Sequence, residues 1–344
     1  MDIALPLQLP HFRPRFPWVN AHLQMLRTAM CGRLDLSRWR SVPLDFPMAD
    51  GTGDALTGTL TLPPADTGQP LCILIHGVTG CENSQYLIAT ARQLLRAGFP
   101  VLRVSMRGAG RGYGRCRENY HAGRWQDLAA VLDQIPTRRG VVLIGYSLGG
   151  NILLNLLGAL GPDPRVRAAI TISAPLDLGA TSRRMLLPAN RPYHNYLLRK
   201  IAAECLASTG MTPELRQAAR TARSFYEFDD RVMAPRYGFR DADDYHHRNS
   251  GQHALPRIGV PTLLIHAEDD PWIPCDAYRS FAWANNPRLQ AVVAPAGGHV
   301  GFHADCGGTW SDRCILEFTA PLQRRKAGTE VRRAPVRERR LLAA

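Results

Sequence analysis

Gly145-Tyr146-Ser147-Leu148-Gly149 is a G-x-S-x-G pentapeptide set directly behind the apolar run Val141-Val142-Leu143-Ile144. The run reads as a buried strand, and Gly149 to Leu160 reads as a helix. A turn this tight between strand and helix needs glycine on both sides, because a Cβ there would clash. It also lifts the serine hydroxyl clear of the backbone, the arrangement of a nucleophile elbow. In this setting Ser147 is expected to be a nucleophile rather than part of a turn that only packs helix on strand.

A serine nucleophile needs a base, an acid and an oxyanion hole. In the α/β-hydrolase arrangement they follow in the chain order Ser, Asp or Glu, His. Pro261 to His266 reads as a late core strand that runs into Ala267-Glu268-Asp269-Asp270-Pro271. An acid just past a strand end and before a proline turn suits the role, and Asp270 is the expected residue. Asp269 is the alternative; its other use would be to cap a helix starting near Cys275. Leu289 to Ala294 is a further strand, followed by Pro295-Ala296-Gly297-Gly298-His299-Val300-Gly301. His299, in its glycine-flanked loop, is expected to be the general base. His303 competes for that role but lies beyond the glycine turn. Upstream, Leu71 to Ile75 ends in His76-Gly77-Val78-Thr79-Gly80. The backbone N–H groups of Leu148 and Val78 are the expected oxyanion donors. His76 is expected to shape that loop or line the site.

Strands near 57–62, 71–76, 100–105, 140–145 and 167–172 alternate with helical stretches near 84–97, 124–135 and 149–160. Such alternation predicts an α/β fold, a mainly parallel sheet covered by helices. From Pro175 to Leu255 no core strand is evident, while Tyr193, Leu197 and Ile201 recur at helical spacing. The expected organisation is an N-terminal arm (1–45), an α/β-hydrolase core (46–175 and 256–320), an inserted helical cap (176–255) and a basic flexible tail (321–344).

Composition narrows the partners. The chain carries a net charge of +13, yet only two of its 42 basic residues are lysines, Lys200 and Lys326. This arginine bias is a weak sign of a binding surface, and no nucleic-acid partner is expected. From Leu322 to Ala344 eight basic residues face two glutamates, a net of +6. A tail of this kind is expected to be solvated, with at most weak contact to anionic lipid surfaces, where a basic residue is worth about 1 kcal/mol. The eight cysteines form no C-x-x-C pair, which fits a reducing cytoplasm and no zinc site. No metal or organic cofactor is expected, and no signal peptide is evident at the start. Val141 to Leu160 lacks charge over twenty residues, but the elbow, Asn151 and Asn155 argue against a membrane span. The run Gly108-Ala109-Gly110-Arg111-Gly112-Tyr113-Gly114 misses G-x-G-x-x-G at Tyr113 and reads as a mobile loop near the site, with Arg107 and Arg111 open to an acidic group. Tyr120 and His121 are expected to line the mouth and to supply supporting hydrogen bonds.

Several ordered segments make the resemblance specific. His76-Gly77-Val78-Thr79-Gly80 through Tyr86 is similar to the H-G-x-T-G…Y segment of the YheT-like (AB-hydrolase-4) family. Trp18-Val19-Asn20-Ala21-His22-Leu23-Gln24 resembles its W-x-x-N-x-H-L-Q-T signature, with Met25 replacing the threonine. Arg107-Gly108, Tyr120-His121-Ala122-Gly123 and Asp127 resemble its R-G…Y-H-x-G…D block. Phe228-Asp229, Gly238-Phe239 and Tyr245 resemble its F-D…G-F…Y segment. The resemblance implies Ser147, Asp270 and His299 as the triad and carboxylic ester hydrolysis as the activity, with some animal relatives acting on phospholipids. The expected substrate is a small-molecule or lipid-like ester with a medium or long acyl chain. The alternatives are an acyltransferase using the same triad and a non-catalytic lipid- or partner-binding protein on a hydrolase scaffold. Oligomeric state is left open.

Overall fold

The computed structural model describes residues 3–30, 34–304 and 308–323. Its centre is an eight-stranded sheet with the strand order β1-β2-β4-β3-β5-β6-β7-β8. The strands are β1 (Arg40–Pro47), β2 (Ala55–Leu62), β3 (Leu71–Ile75), β4 (Val101–Ser105), β5 (Val141–Tyr146), β6 (Val166–Ile172), β7 (Thr262–Ala267) and β8 (Leu289–Ala294). β2 pairs antiparallel with both β1 and β4, and the remaining pairs are parallel.

The inner strands read as unbroken apolar runs because both faces of the sheet are covered. Along β3, Ile73 and Ile75 join one buried cluster while Cys72 and Leu74 join the other. On the first face lie helices α3 (Gln126–Gln134) and α4 (Leu148–Leu160); on the second lie α2 (Gln85–Arg96) and the C-terminal helix Trp310–Gln323. An N-terminal helix α1 (Ala21–Met30) precedes the sheet. Asn20 starts it, accepting the N–H of Leu23 at 3.0 Å as a helix N-cap does.

β1 begins inside the stretch expected to be an arm. Pro43 and Pro47 conceal it, since proline weakens a strand pattern, but β1 is an edge strand, where a missing donor is tolerated.

Between β6 and β7 the chain is helical: α5 (Leu178–Met185), α6 (Arg191–Ala207), α7 (Pro213–Thr221), then Phe225–Tyr237 in short turns of α- and π-helix, and α8 (Ala242–Asn249). A separate apolar cluster built on Leu198, Phe228, Met233 and Tyr245 holds these helices together. After β7 and β8 come α9 (Asp276–Ser280) and α10 (Trp310–Gln323). Most of the basic tail, residues 324–344, lies outside the described residues. No helix among the described residues is long and apolar enough to cross a membrane.

Candidate functional site

The site lies where parallel strands end. Ser147, between β5 and α4, has φ +50°, a region that costs a non-glycine residue of order 1–3 kcal/mol. The two flanking glycines make this turn possible by close approach. A Cβ on Gly145 would sit 2.6 Å from the Gly149 carbonyl oxygen, and one on Gly149 would sit 2.3 Å from that of His76. Thr79, Ser173, Val300 and Phe302 also have positive φ, and each lies in a loop after a strand end. Strain is therefore gathered around one place.

His299, in the loop after β8, brings Nε2 to 2.9 Å from Ser147 Oγ and Nδ1 to 2.8 Å from Asp270 Oδ2. Asp270 turns its other oxygen, Oδ1, to the N–H groups of Trp272 and Ile273 at 2.9 and 3.1 Å. Burial pushes its carboxyl up, but His299, His266 and the Trp272 N–H outweigh burial and leave it below its ordinary value. A carboxylate so held keeps the Nδ1 proton in place and leaves Nε2 as the acceptor for the serine hydroxyl.

Asp269 does not touch the imidazole. It accepts the Gly298 N–H at 2.8 Å, and so holds the loop that carries His299. His303 is also structural: burial lowers its ring to about 4, and its backbone is gripped by Gln24. The Gln24 amide donates to the His303 carbonyl at 3.1 Å and accepts its N–H at 2.6 Å. Gly298 and Gly301 give α1 room to come this close; a Cβ on them would meet the Ala21 carbonyl at 2.5 Å and the Gln24 Cβ at 2.8 Å. The arm thus buttresses the histidine loop, a role not assigned to it from the sequence.

The Val78 and Leu148 N–H groups have no acceptor among the described residues, and both residues line the same cavity as Ser147. On either side of Val78 the loop is pinned: Tyr86 Oη accepts the Gly77 N–H at 2.9 Å and Tyr120 Oη accepts the Thr79 N–H at 2.7 Å. His76 lies behind this loop, fully buried. It accepts the Met106 N–H at Nε2 (2.9 Å), which leaves Nδ1 to donate to the Gly77 carbonyl (2.7 Å). Burial lowers its ring to about 4, so it is a neutral brace and not a wall of the cavity.

Tyr120 and His121 do line the cavity. His121 stacks on Tyr237 at 4.3 Å and accepts the Gly123 N–H; burial first, then Arg124, Arg236 and Arg107, lower it to about 3. Arg107 is not open to an acidic ligand. It is buried between Asp127, Asp50 and Asp54, with Nη2 at 2.7 Å from both Asp127 and Asp50. Arg111 donates to the carbonyls of Leu44 and Gly58 and so ties down β1 and β2.

The cavity measures about 160 Å³ and reaches from Ser147 and His299 into the β6–β7 helices, where Leu178, Met185, Leu197, Ile201 and Phe228 make an apolar wall. Leu197 and Ile201 belong to the spacing seen in the sequence. Trp272 packs on the His299 ring at 4.5 Å, and Tyr193 of α6 packs edge-on against Trp272. No group of three or more His, Cys, Asp or Glu among the described residues is placed to hold a metal.

Such an arrangement can take a proton from Ser147, hold the resulting imidazolium beside Asp270, and offer two free N–H groups to a developing oxyanion. The fold is that of an α/β-hydrolase, and it brings Ser147, His299 and Asp270 into one hydrogen-bonded row. Residues 70–305 match the alpha/beta hydrolase fold family. The chain is 31% identical to the YheT protein of Escherichia coli (strain K12) over 306 residues, 87% of this chain and 88% of that one. It therefore belongs to the YheT-like α/β-hydrolases. It is 28% identical to Phospholipase ABHD3 of Mus musculus over 72% of its own length, and spans 61% of that protein. Among solved structures, the Pyrococcus furiosus esterase Pf2001 has the same fold, with a TM-score of 0.57 at 14% identity, covering 92% of this chain and all of that one.

Proposed function

We propose that this chain hydrolyses carboxylic esters through an acyl-enzyme on Ser147. The reading rests above all on the unbroken relay from Asp270 Oδ2 to His299 Nδ1 and from His299 Nε2 to Ser147 Oγ, at 2.8 and 2.9 Å. Ser147 attacks the ester carbonyl while His299 takes its proton; the Leu148 and Val78 N–H groups receive the negative charge. Collapse expels the alcohol, protonated by His299. Water, activated by the same ring, then releases the acid.

The cavity supports one class of ester. An engineered apolar cavity of about 150 Å³ holds a benzene molecule. By that measure 160 Å³ lined by Leu178, Met185, Leu197 and Ile201 is of a size for an acyl chain of roughly six carbons. The reading this supports is a small-molecule ester of a medium-chain fatty acid. Helices α5 to α8 form the cap that sets this limit.

The test is a series of p-nitrophenyl esters from two to sixteen carbons, run on the wild type and on Ser147→Ala. A kcat/KM optimum near six to eight carbons that vanishes in the variant supports the reading. A turnover that survives Ser147→Ala would overturn it. Added ethanol in the same assay separates hydrolysis from acyl transfer, because an acyltransferase would accumulate the ethyl ester in preference to the acid.

A further inference from the structure

Glu204 is a carboxyl group in the wall of an apolar cavity, a place where burying a charge is unfavourable unless something holds it. It sits on α6, in the helical roof, and its Oε2 accepts the Tyr120 hydroxyl at 2.9 Å. The same phenol oxygen accepts the Thr79 N–H at 2.7 Å. A phenol has one proton. Tyr120 gives that proton to Glu204 while its oxygen accepts from Thr79. Donation to a carboxylate makes the phenol oxygen a better acceptor, so the two bonds strengthen each other.

The residue at the far end of this chain is strained. Thr79 has φ +56°, and a β-branched side chain disfavours that region. Its N–H belongs to the peptide next to that of Val78, whose own N–H has no acceptor among the described residues. On the other side the Gly77 N–H is held by Tyr86, a residue of α2 in the core. The free donor is therefore set between two tyrosine clamps. One belongs wholly to the core; the other is completed by the roof. A second bond, from the Asn119 amide to the Glu204 carbonyl at 3.2 Å, fixes α6 at this point.

We propose that Glu204 is a positioning residue: through Tyr120 it holds the Val78–Thr79 segment, and so couples seating of the roof to alignment of the oxyanion loop. The proposal rests on the ester-hydrolase reading for its kinetic consequence, but not for its structural one. A residue that only walls the cavity would change substrate affinity. A residue that aligns the loop changes transition-state stabilisation and leaves affinity alone.

The experiment compares Glu204→Leu with Glu204→Gln, which keeps a carbonyl acceptor, and with Tyr120→Phe, which keeps the ring volume. Hydrogen exchange at the Thr79 amide is read on the resting protein, without turnover. In Glu204→Leu it should quicken about tenfold or more relative to neighbouring amides. Glu204→Gln should restore most of the protection, and Tyr120→Phe should lose it. With a six-carbon ester, Glu204→Leu should lower kcat about tenfold, a fraction of what loss of an oxyanion donor costs, with KM within about twofold. Unchanged Thr79 exchange in both Glu204→Leu and Tyr120→Phe would overturn the proposal, as would a change confined to KM. A wild type without any ester turnover would sink the hydrolase reading alone, and the exchange data would still decide this one.

Discussion

Two histidine–aspartate pairs, each at 2.8 Å, present a histidine to one cavity: His299, backed by the buried Asp270 in the core loops, and His246, paired with Asp229 in the roof. Their surroundings differ. His299 hands its second nitrogen to a serine on a strained turn, beside two N–H groups that have no acceptor among the described residues. His246 has no partner at Nδ1 among the described residues, and it lies between helices with no strained turn nearby. Burial raises the Asp229 carboxyl, whereas Asp270 ends below its ordinary value because His299 and His266 offset its burial. An acid–imidazole pair alone is therefore common furniture. It acquires chemistry when rigid strand ends fix a nucleophile and an anion site around it.

The sharpest way to break this comparison is to remove each half in turn. Ser147→Ala and His299→Ala should each lower kcat at least about 10⁴-fold on a six-carbon ester. His246→Ala should lower kcat/KM by less than about tenfold. Equal losses would mean that the roof pair takes part in the reaction. Next in size, Asp270→Asn should cost about 10³- to 10⁴-fold, since an amide favours the wrong tautomer of His299. Asp229→Asn should cost only a few-fold, and steady-state kinetics on folded protein will tell. A third effect is on chain length. Met185→Trp or Ile201→Trp should fill the apolar wall and shift the optimum toward shorter acyl chains, with about tenfold loss on eight carbons and little on two. An unshifted optimum would place the acyl chain elsewhere.

The smallest effect is one of pH. Burial pushes the Glu204 carboxyl up to about 7, against 4.5 when free, while Tyr120 and Lys200 pull it back. With its folded value raised, the folded protein binds more protons than the unfolded chain between about pH 4.5 and 7. Stability contributed by this group is thus full below 4.5 and is lost as pH rises through 7. Glu204→Gln removes that loss. Its Tm should match the wild type near pH 4.5 and exceed it by about 2–4 °C at pH 8. A difference that is constant with pH would contradict the burial argument.

What could be read from the sequence was local. The elbow, the acid turn and the glycine-flanked histidine loop each fit within a dozen residues, and the fold's chain order links them. The same holds for β3 to β7, whose burial on both faces leaves plain apolar runs. What escaped notice depended on distance or on context. β1 hid behind two prolines that only an edge position tolerates. The grip of Gln24 on His303 spans 279 residues and uses a side-chain amide on backbone, which leaves no period and no spacing. Arg107 looked open to an acidic ligand because its partners lie far off in sequence, Asp50 and Asp54 in the β1–β2 loop and Asp127 on α3. Glu204 lies in the roof, where helices follow cap packing and the polar partner belongs to the core.

The most direct measurement is to map a fluorophosphonate adduct by mass spectrometry on the wild type, His299→Ala and His246→Ala. The account predicts one adduct, on Ser147, formed at near wild-type rate in His246→Ala and at least about 10³-fold more slowly in His299→Ala. No adduct on Ser147 of the wild type, or labelling that does not depend on His299, would contradict it.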